Sequence, residues 1–136
     1  MVPKGERTQQ RVPTFAWLDA PQPQDFPAAA AYLALLAPEG QVAALVEALQ
    51  SAATTHQKAK DLLRASRLPL LDVQNVHDGS DLAKIAAGKP LSPILLVRGD
   101  LLSGTPLQIV DGYHRVCASF HTGENTDIPR RLVPAR

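Results

Sequence analysis

A small α+β domain is the fold this sequence predicts, and three observations carry that reading. The chain has 136 residues, a length that suits one domain with one core. In its first half, apolar residues recur at helical spacing along 41–64. In its second half the period changes to short strand-like stretches, a continuous apolar run within 93–98 and the stretch 107–111, bounded by proline and glycine as strands are. Apolar residues make up 45% and charged residues 20%, which suits a soluble globular protein and excludes a collagen-like, coiled-coil or disordered chain.

The elements follow in order. Residues 1–24 form a proline-punctuated arm, because Pro3, Pro13, Pro21 and Pro23 leave no room for a long helix. Phe15, Trp17 and Leu18 are its sticky patch and pin it to the body. Residues 25–66 read as a helical hairpin. Asp25 caps the first helix, Pro27 lies in its first turn, and the helix runs over 28–37. Tyr32, Leu33, Leu35 and Leu36 make it largely buried. Pro38, Glu39 and Gly40 break the chain, and a second helix spans 41–64. Its stripe of Val42, Leu45, Val46, Leu49, Ala53, His56, Ala59 and Leu63 makes His56 a core or boundary residue.

Residues 67–136 form the α+β unit, within one compact domain overall. A short strand is expected at 70–73, a polar turn at 75–78, and a short helix at 82–87 capped by Ser80 or Asp81 and ended by Gly88. The run 93–98 is a buried strand. A loop with two glycines, 99–106, leads to an antiparallel strand at 107–111. Gly112 is the hinge into a helix, 113–122, stopped by Gly123. A last strand spans 128–133, with Pro129 suited to an edge or a strand beginning.

Composition excludes several functions. Net charge is +1, and the two halves carry 0 and +1, so no basic field drives sequence-independent binding to DNA or membranes. One cysteine, Cys117, excludes an internal disulfide and a cysteine-only zinc site. His56, His77, His114 and His121 are too widely spaced for a local metal motif, so no metal site is expected. No stretch is long and apolar enough to cross a membrane, and the polar N-terminus lacks a secretory signal, so the expected compartment is cytoplasmic.

The stretch that carries chemistry is Ile109-Val110-Asp111-Gly112-Tyr113-His114-Arg115. A strand runs through a glycine directly into a helix. The first turn of a helix presents free N–H groups and the positive end of the dipole, which together attract an anion. Gly112 allows close backbone approach. Arg115 can grip two phosphate oxygens in its fork, and His114 adds a donor. Two cations at a helix N-terminus fit the dipole badly unless an anion joins them. Asp111 is the one acid placed to act as base or to hold Mg²⁺. Cys117, one turn further on, reads as core, and His121 as a surface or boundary residue. Arg130 and Arg131 read as surface charge.

These residues resemble the ParB/sulfiredoxin-like superfamily, whose members include the ParB-like nuclease domains. The resemblance covers about 68–133 and rests on the P-I-L-L-V-R strand from Pro93, the I-V-D-G-Y-H-R junction from Ile109, Ala118 one turn on, and the I-P-x-R-L-V strand from Ile128. It implies the ParB/sulfiredoxin-like fold and a nucleotide-phosphate site, for ATP or CTP with Mg²⁺, at Gly112, Tyr113, His114 and Arg115. It adds Lys84 or Lys89 from the preceding helix region as a further phosphate contact. Sulfiredoxins have G-G-C-H-R here, so Tyr113 stands in the cysteine position and sulfinic-acid reduction is not expected. ParB proteins have G-E-R-R, matched here only at Gly112 and Arg115, and they carry a helix-turn-helix reader after this module.

Three functions compete. The first is a nucleotide-binding protein acting as an NTPase or phosphotransferase, with Asp111 and His114 catalytic. The second is a non-catalytic module that binds a ligand or a protein, with the N-terminal region docking a partner or a second copy. The third is a nuclease, disfavoured by near-neutral charge and the lack of clustered carboxylates. Specific DNA binding is not expected.

Overall fold

A computed structural model describes residues 15–72 and 88–136. They form an α+β fold with a four-stranded mixed sheet and four helices. The elements are α1 (Asp25–Leu33), α2 (Glu39–Ser51), β1 (Thr55–Lys58), α3 (Ala59–Ser66), β2 (Ile94–Val97), β3 (Gln108–Asp111), α4 (Tyr113–Thr122) and β4 (Asp127–Val133). The strand order is β1-β4-β2-β3. β4 runs antiparallel to β1 and parallel to β2, while β2 and β3 form an antiparallel pair.

The apolar runs follow from the sheet having two covered faces. Successive residues of a strand point to opposite sides. Ile94 and Leu96 therefore join Ile109, Ile128 and the α3 and α4 side chains Leu62, Leu63, Val116 and Cys117 in one core. Leu95 and Val97 join Val110, Val133 and the α1 and α2 side chains Ala29, Leu33, Val42, Leu45 and Leu49 in the other. β2 is buried along its whole length. Each leucine fully buried in this way contributes roughly 1.5–3 kcal/mol.

The expected single helix over 41–64 is two helices separated by a strand. Residues 42, 45 and 49 pack on one face of the sheet, whereas 59, 62 and 63 pack on the other. One continuous helix cannot do both. The chain turns extended at Ala52, pairs 55–58 along the outer edge of β4, and re-enters a helix beneath the sheet. Thr54 and Gln57 accept hydrogen bonds from Arg131 and Arg130, which ties the new strand down. His56 is consequently an exposed strand residue rather than a core histidine. The hairpin expected over 25–66 holds only for α1 and α2.

Other departures are smaller. α1 begins at Asp25, whose carboxylate accepts the Gln22 N–H at 2.7 Å. It ends at Leu33, so Leu35 and Leu36 are 81% and 57% exposed rather than buried. Glu39 and Gly40 belong to α2, with Pro38 as the residue before it. β4 is an inner strand, so Pro129 does not mark an edge. It lies near the strand's beginning, one residue before β4 meets β2 at Arg130. Residues 70–72 are not in a strand, because their segment lies along α4 and gives carbonyls to its side chains. Val73, the turn at 75–78, the helix at 82–87 with its Ser80 or Asp81 cap, His77 and Lys84 lie outside the described residues. So does most of the arm. Its end packs as expected: Phe15 and Trp17 lie on the α3–α4 core, and Trp17 pairs with Leu91 through hydrogen bonds from Leu18 and to Ala16.

β2, β3, α4 and the Gly123 stop fall where the sequence sets them. No helix among the described residues is long and apolar enough to cross a membrane.

Candidate functional site

The strand-to-helix junction forms as expected. β3 ends at Asp111, and Gly112 turns the chain with φ +111°, a conformation that side chains oppose. α4 starts at the next residue, and its first bond runs from the Val116 N–H to the Gly112 carbonyl. The N–H groups of the first turn lie beyond this ladder.

Arg115 does not reach outward. Its guanidinium folds back over the glycine and donates to Asp111 at 3.2 Å. The Arg115 side chain is only 9% exposed and that of Asp111 20%. The carboxylate thus offsets the mismatch between a cation and the positive helix end. The pairing leaves Arg115 Nε buried without a partner among the described residues, and Ser119 Oγ, one turn on, likewise. A buried donor left unmade costs about 1–3 kcal/mol, so this fork has bonding capacity to give.

Gly112 has a reason that the sequence does not show, besides its positive φ. A Cβ there would meet Ile94 Cγ2 at 2.5 Å and Arg115 Nη2 at 2.9 Å. The crowding comes from the protein's own core and ion pair.

Tyr113 turns away from the junction. Its hydroxyl donates to the Pro69 carbonyl, and its ring packs on the α3–α4 core. Burial, then the neighbouring Cys117, push its phenol above the ordinary value. Only its backbone N–H remains in the first turn. His114 is exposed, with its ring 5.9 Å from that of Tyr113. Lys89 is exposed on the strand approach to Leu91, with no described contact that brings it to α4. The junction therefore gathers Asp111, Gly112, His114 and Arg115, and leaves the Tyr113 side chain elsewhere.

Cys117 is fully buried. Burial raises its thiol above the ordinary range, partly opposed by the Leu71 backbone and the Tyr113 hydroxyl. It is a core group, as the sequence indicates, and no thiolate nucleophile. His121 donates from Nε2 to the Leu71 carbonyl at 2.7 Å. Tyr113, Cys117 and His121 thus form one stripe of α4 that holds the segment 69–71. Sequence reading missed this stripe, although its four-residue spacing is visible along 113–121.

Among the described residues, no group of three or more His, Cys, Asp and Glu side chains comes together as a metal site. Asp111 is the single acid of the junction sequence and is already paired with Arg115. The junction alone therefore does not fit a protein-held Mg²⁺.

Searches against protein-family models, curated proteins and solved structures return no significant match to this chain.

Proposed function

We propose that the chain is a nucleotide-binding protein of ParB/sulfiredoxin-like type, which holds the phosphates of ATP or CTP at the start of α4. The observation that carries this reading is Arg115. Its guanidinium is nine-tenths buried at a glycine-capped helix start, and one of its N–H donors is unpartnered. Phosphate oxygens would take the first-turn N–H groups of Tyr113, His114 and Arg115, the spare capacity of the Arg115 fork, and the exposed His114 ring. Any Mg²⁺ would arrive with the nucleotide, since Asp111 is engaged by Arg115.

That same ion pair favours the second reading, a binding module without turnover. The acid that a hydrolase would use as base is neutralised by the arginine that binds the phosphate. Nuclease activity has the least support, because no carboxylate cluster occurs among the described residues and the net charge is +1.

Melting of the full chain with ATP, CTP and ADP, with and without Mg²⁺, tests the binding reading. A rise in melting temperature with a nucleotide is expected. No shift at millimolar concentration overturns it. Release of inorganic phosphate then separates turnover from binding.

A further inference from the structure

At the end of the sheet opposite Gly112, a cleft of about 590 Å³ opens between the end of α3 and the loop joining β2 to β3. Its volume lies in the range of small-molecule sites. Arg64, Arg67 and Arg98 line it, and Pro106, Leu107 and Leu132 supply apolar wall. Arg64 and Arg67 flank the end of α3, and the fold brings Arg98, distant in sequence, to join them.

Each arginine is in a different state. Arg64 makes a solvent-exposed pair with Asp61 at 3.4 Å, worth little in water. Arg67 stands just after α3 with φ 60°, the one non-glycine residue of positive φ among those described. Glycine or asparagine is the usual occupant of that position. The arginine side chain there reaches across to the Gly104 carbonyl at 2.9 Å, which fixes the loop and leaves most of its donors unused. Arg98 has no carboxylate partner among the described residues, and its charged neighbour is another arginine, Arg130. The single acid on the cleft wall, Asp100, is turned into its own loop, where it accepts the Ser103 N–H at 3.2 Å.

Among the described residues, three arginines meet two carboxylates, Asp61 on Arg64 and Asp100 in its own loop, so the cleft keeps a net positive charge beside an apolar wall. Arg67 stands on the cleft wall in a backbone conformation that glycine or asparagine usually fills. We infer that this cleft binds a small amphipathic anion, an organic carboxylate or phosphate ester. Arg98 and Arg67 hold its head, and Pro106, Leu107 and Leu132 cover its apolar body. The site is independent of the nucleotide reading, since it lies at the other end of the sheet.

The probes are 2-naphthoate, 2-naphthyl phosphate and inorganic phosphate, titrated into the full chain by calorimetry and by amide chemical-shift mapping. One or both naphthyl compounds should bind one to one, with shifts at 64–67, 98–107 and 132. Which of the two binds identifies the head group. Arg98→Gln should weaken binding about tenfold by removing charge-assisted hydrogen bonds. Arg98 and Arg64 are exposed, so their glutamine variants keep the fold, which circular dichroism verifies. Four results overturn the inference: no naphthyl binding at millimolar concentration, affinity unchanged in Arg98→Gln, inorganic phosphate binding as tightly as the naphthyl ester, or shifts confined to 111–115. The last would point to the α4 site alone.

Discussion

Gly112→Ala tests how the junction is built. The substitution introduces two separate costs. The first is backbone: an L-residue at φ +111° lies on the disfavoured side of the map, at about 1–2 kcal/mol. The second is steric. The new methyl would sit 2.5 Å from Ile94 Cγ2 and 3.0 Å from Ile94 Cβ. Ile94 is fully buried between β3 and β4 and has no space to retreat into, so overpacking adds roughly 1–3 kcal/mol. The expected loss is their sum, about 2–5 kcal/mol. Gly104→Ala is the control. Its φ is +79° but nothing lies within 4 Å of the added methyl, so it carries the backbone cost alone, about 1 kcal/mol. Urea unfolding followed by far-ultraviolet circular dichroism measures both, provided the m-values agree. If the two variants lose equal stability, Ile94 yields freely and the crowding argument is wrong. The methyl also displaces Arg115 Nη2, so nucleotide affinity should fall together with stability.

Further outcomes follow from the same geometry. Arg115→Ala should abolish most of any nucleotide-dependent melting shift, for a loss of about 1.5–3 kcal/mol in binding; an unchanged shift removes Arg115 from the site. The Cys117 thiol is raised in the folded state, so the folded chain keeps a proton that the unfolded chain loses. Its contribution is intact below the ordinary thiol value of 9.0 and is lost as pH rises through the higher folded value. Wild type should therefore lose urea resistance above pH 9.0, between the ordinary and the raised folded value, more steeply than Cys117→Ala, and parallel profiles would refute this. The purified chain should not reduce a hyperoxidised peroxiredoxin with ATP and thiol, since a phenol replaces the reactive thiolate; measurable reduction would return the reductase reading. Mobility-shift assays should give no stable complex with any duplex sequence at physiological salt, and one such complex would restore the DNA-binding readings.

The parts of the fold legible in the sequence are those where burial and punctuation coincide. β2 is a continuous apolar run and β3 holds Ile109 and Val110 at its centre, both set between prolines and glycines, and α4 sits between Gly112 and Gly123. β1 was hidden for a physical reason. Thr55, His56, Gln57 and Lys58 are mostly exposed and carry no apolar alternation, while Ala53, Ala59 and Leu63 imitate a continuing helix. What makes 55–58 a strand is the free edge of β4, which lies far along the chain. Likewise Leu35 and Leu36 looked like core because local density cannot show where a helix stops. At the candidate site, the glycine and the helix start were readable, and the spacing of Asp111 and Arg115 permitted their pairing. That Arg115 turns inward onto Asp111 is set by the folded backbone and not by the residue pattern. The arginine cleft had no sequence signal at all, since its walls come from three separate stretches.

The inner position of β4 sets the order in which the sheet can form. Among the described strands, β1 touches the sheet only through β4, and β2 joins the β1 side only through β4. A strand at an edge can be lost with one ladder, but loss of 127–133 severs two and leaves a lone strand beside a hairpin. The pairings it makes with β1 close long loops, whose entropy must be met before the contacts reward it. Assembly of the sheet should therefore be the slow phase of folding, with the β2–β3 hairpin formed early. A cut in the connection between α4 and β4 should yield two fragments that are each incomplete and that regain the native sheet only when mixed.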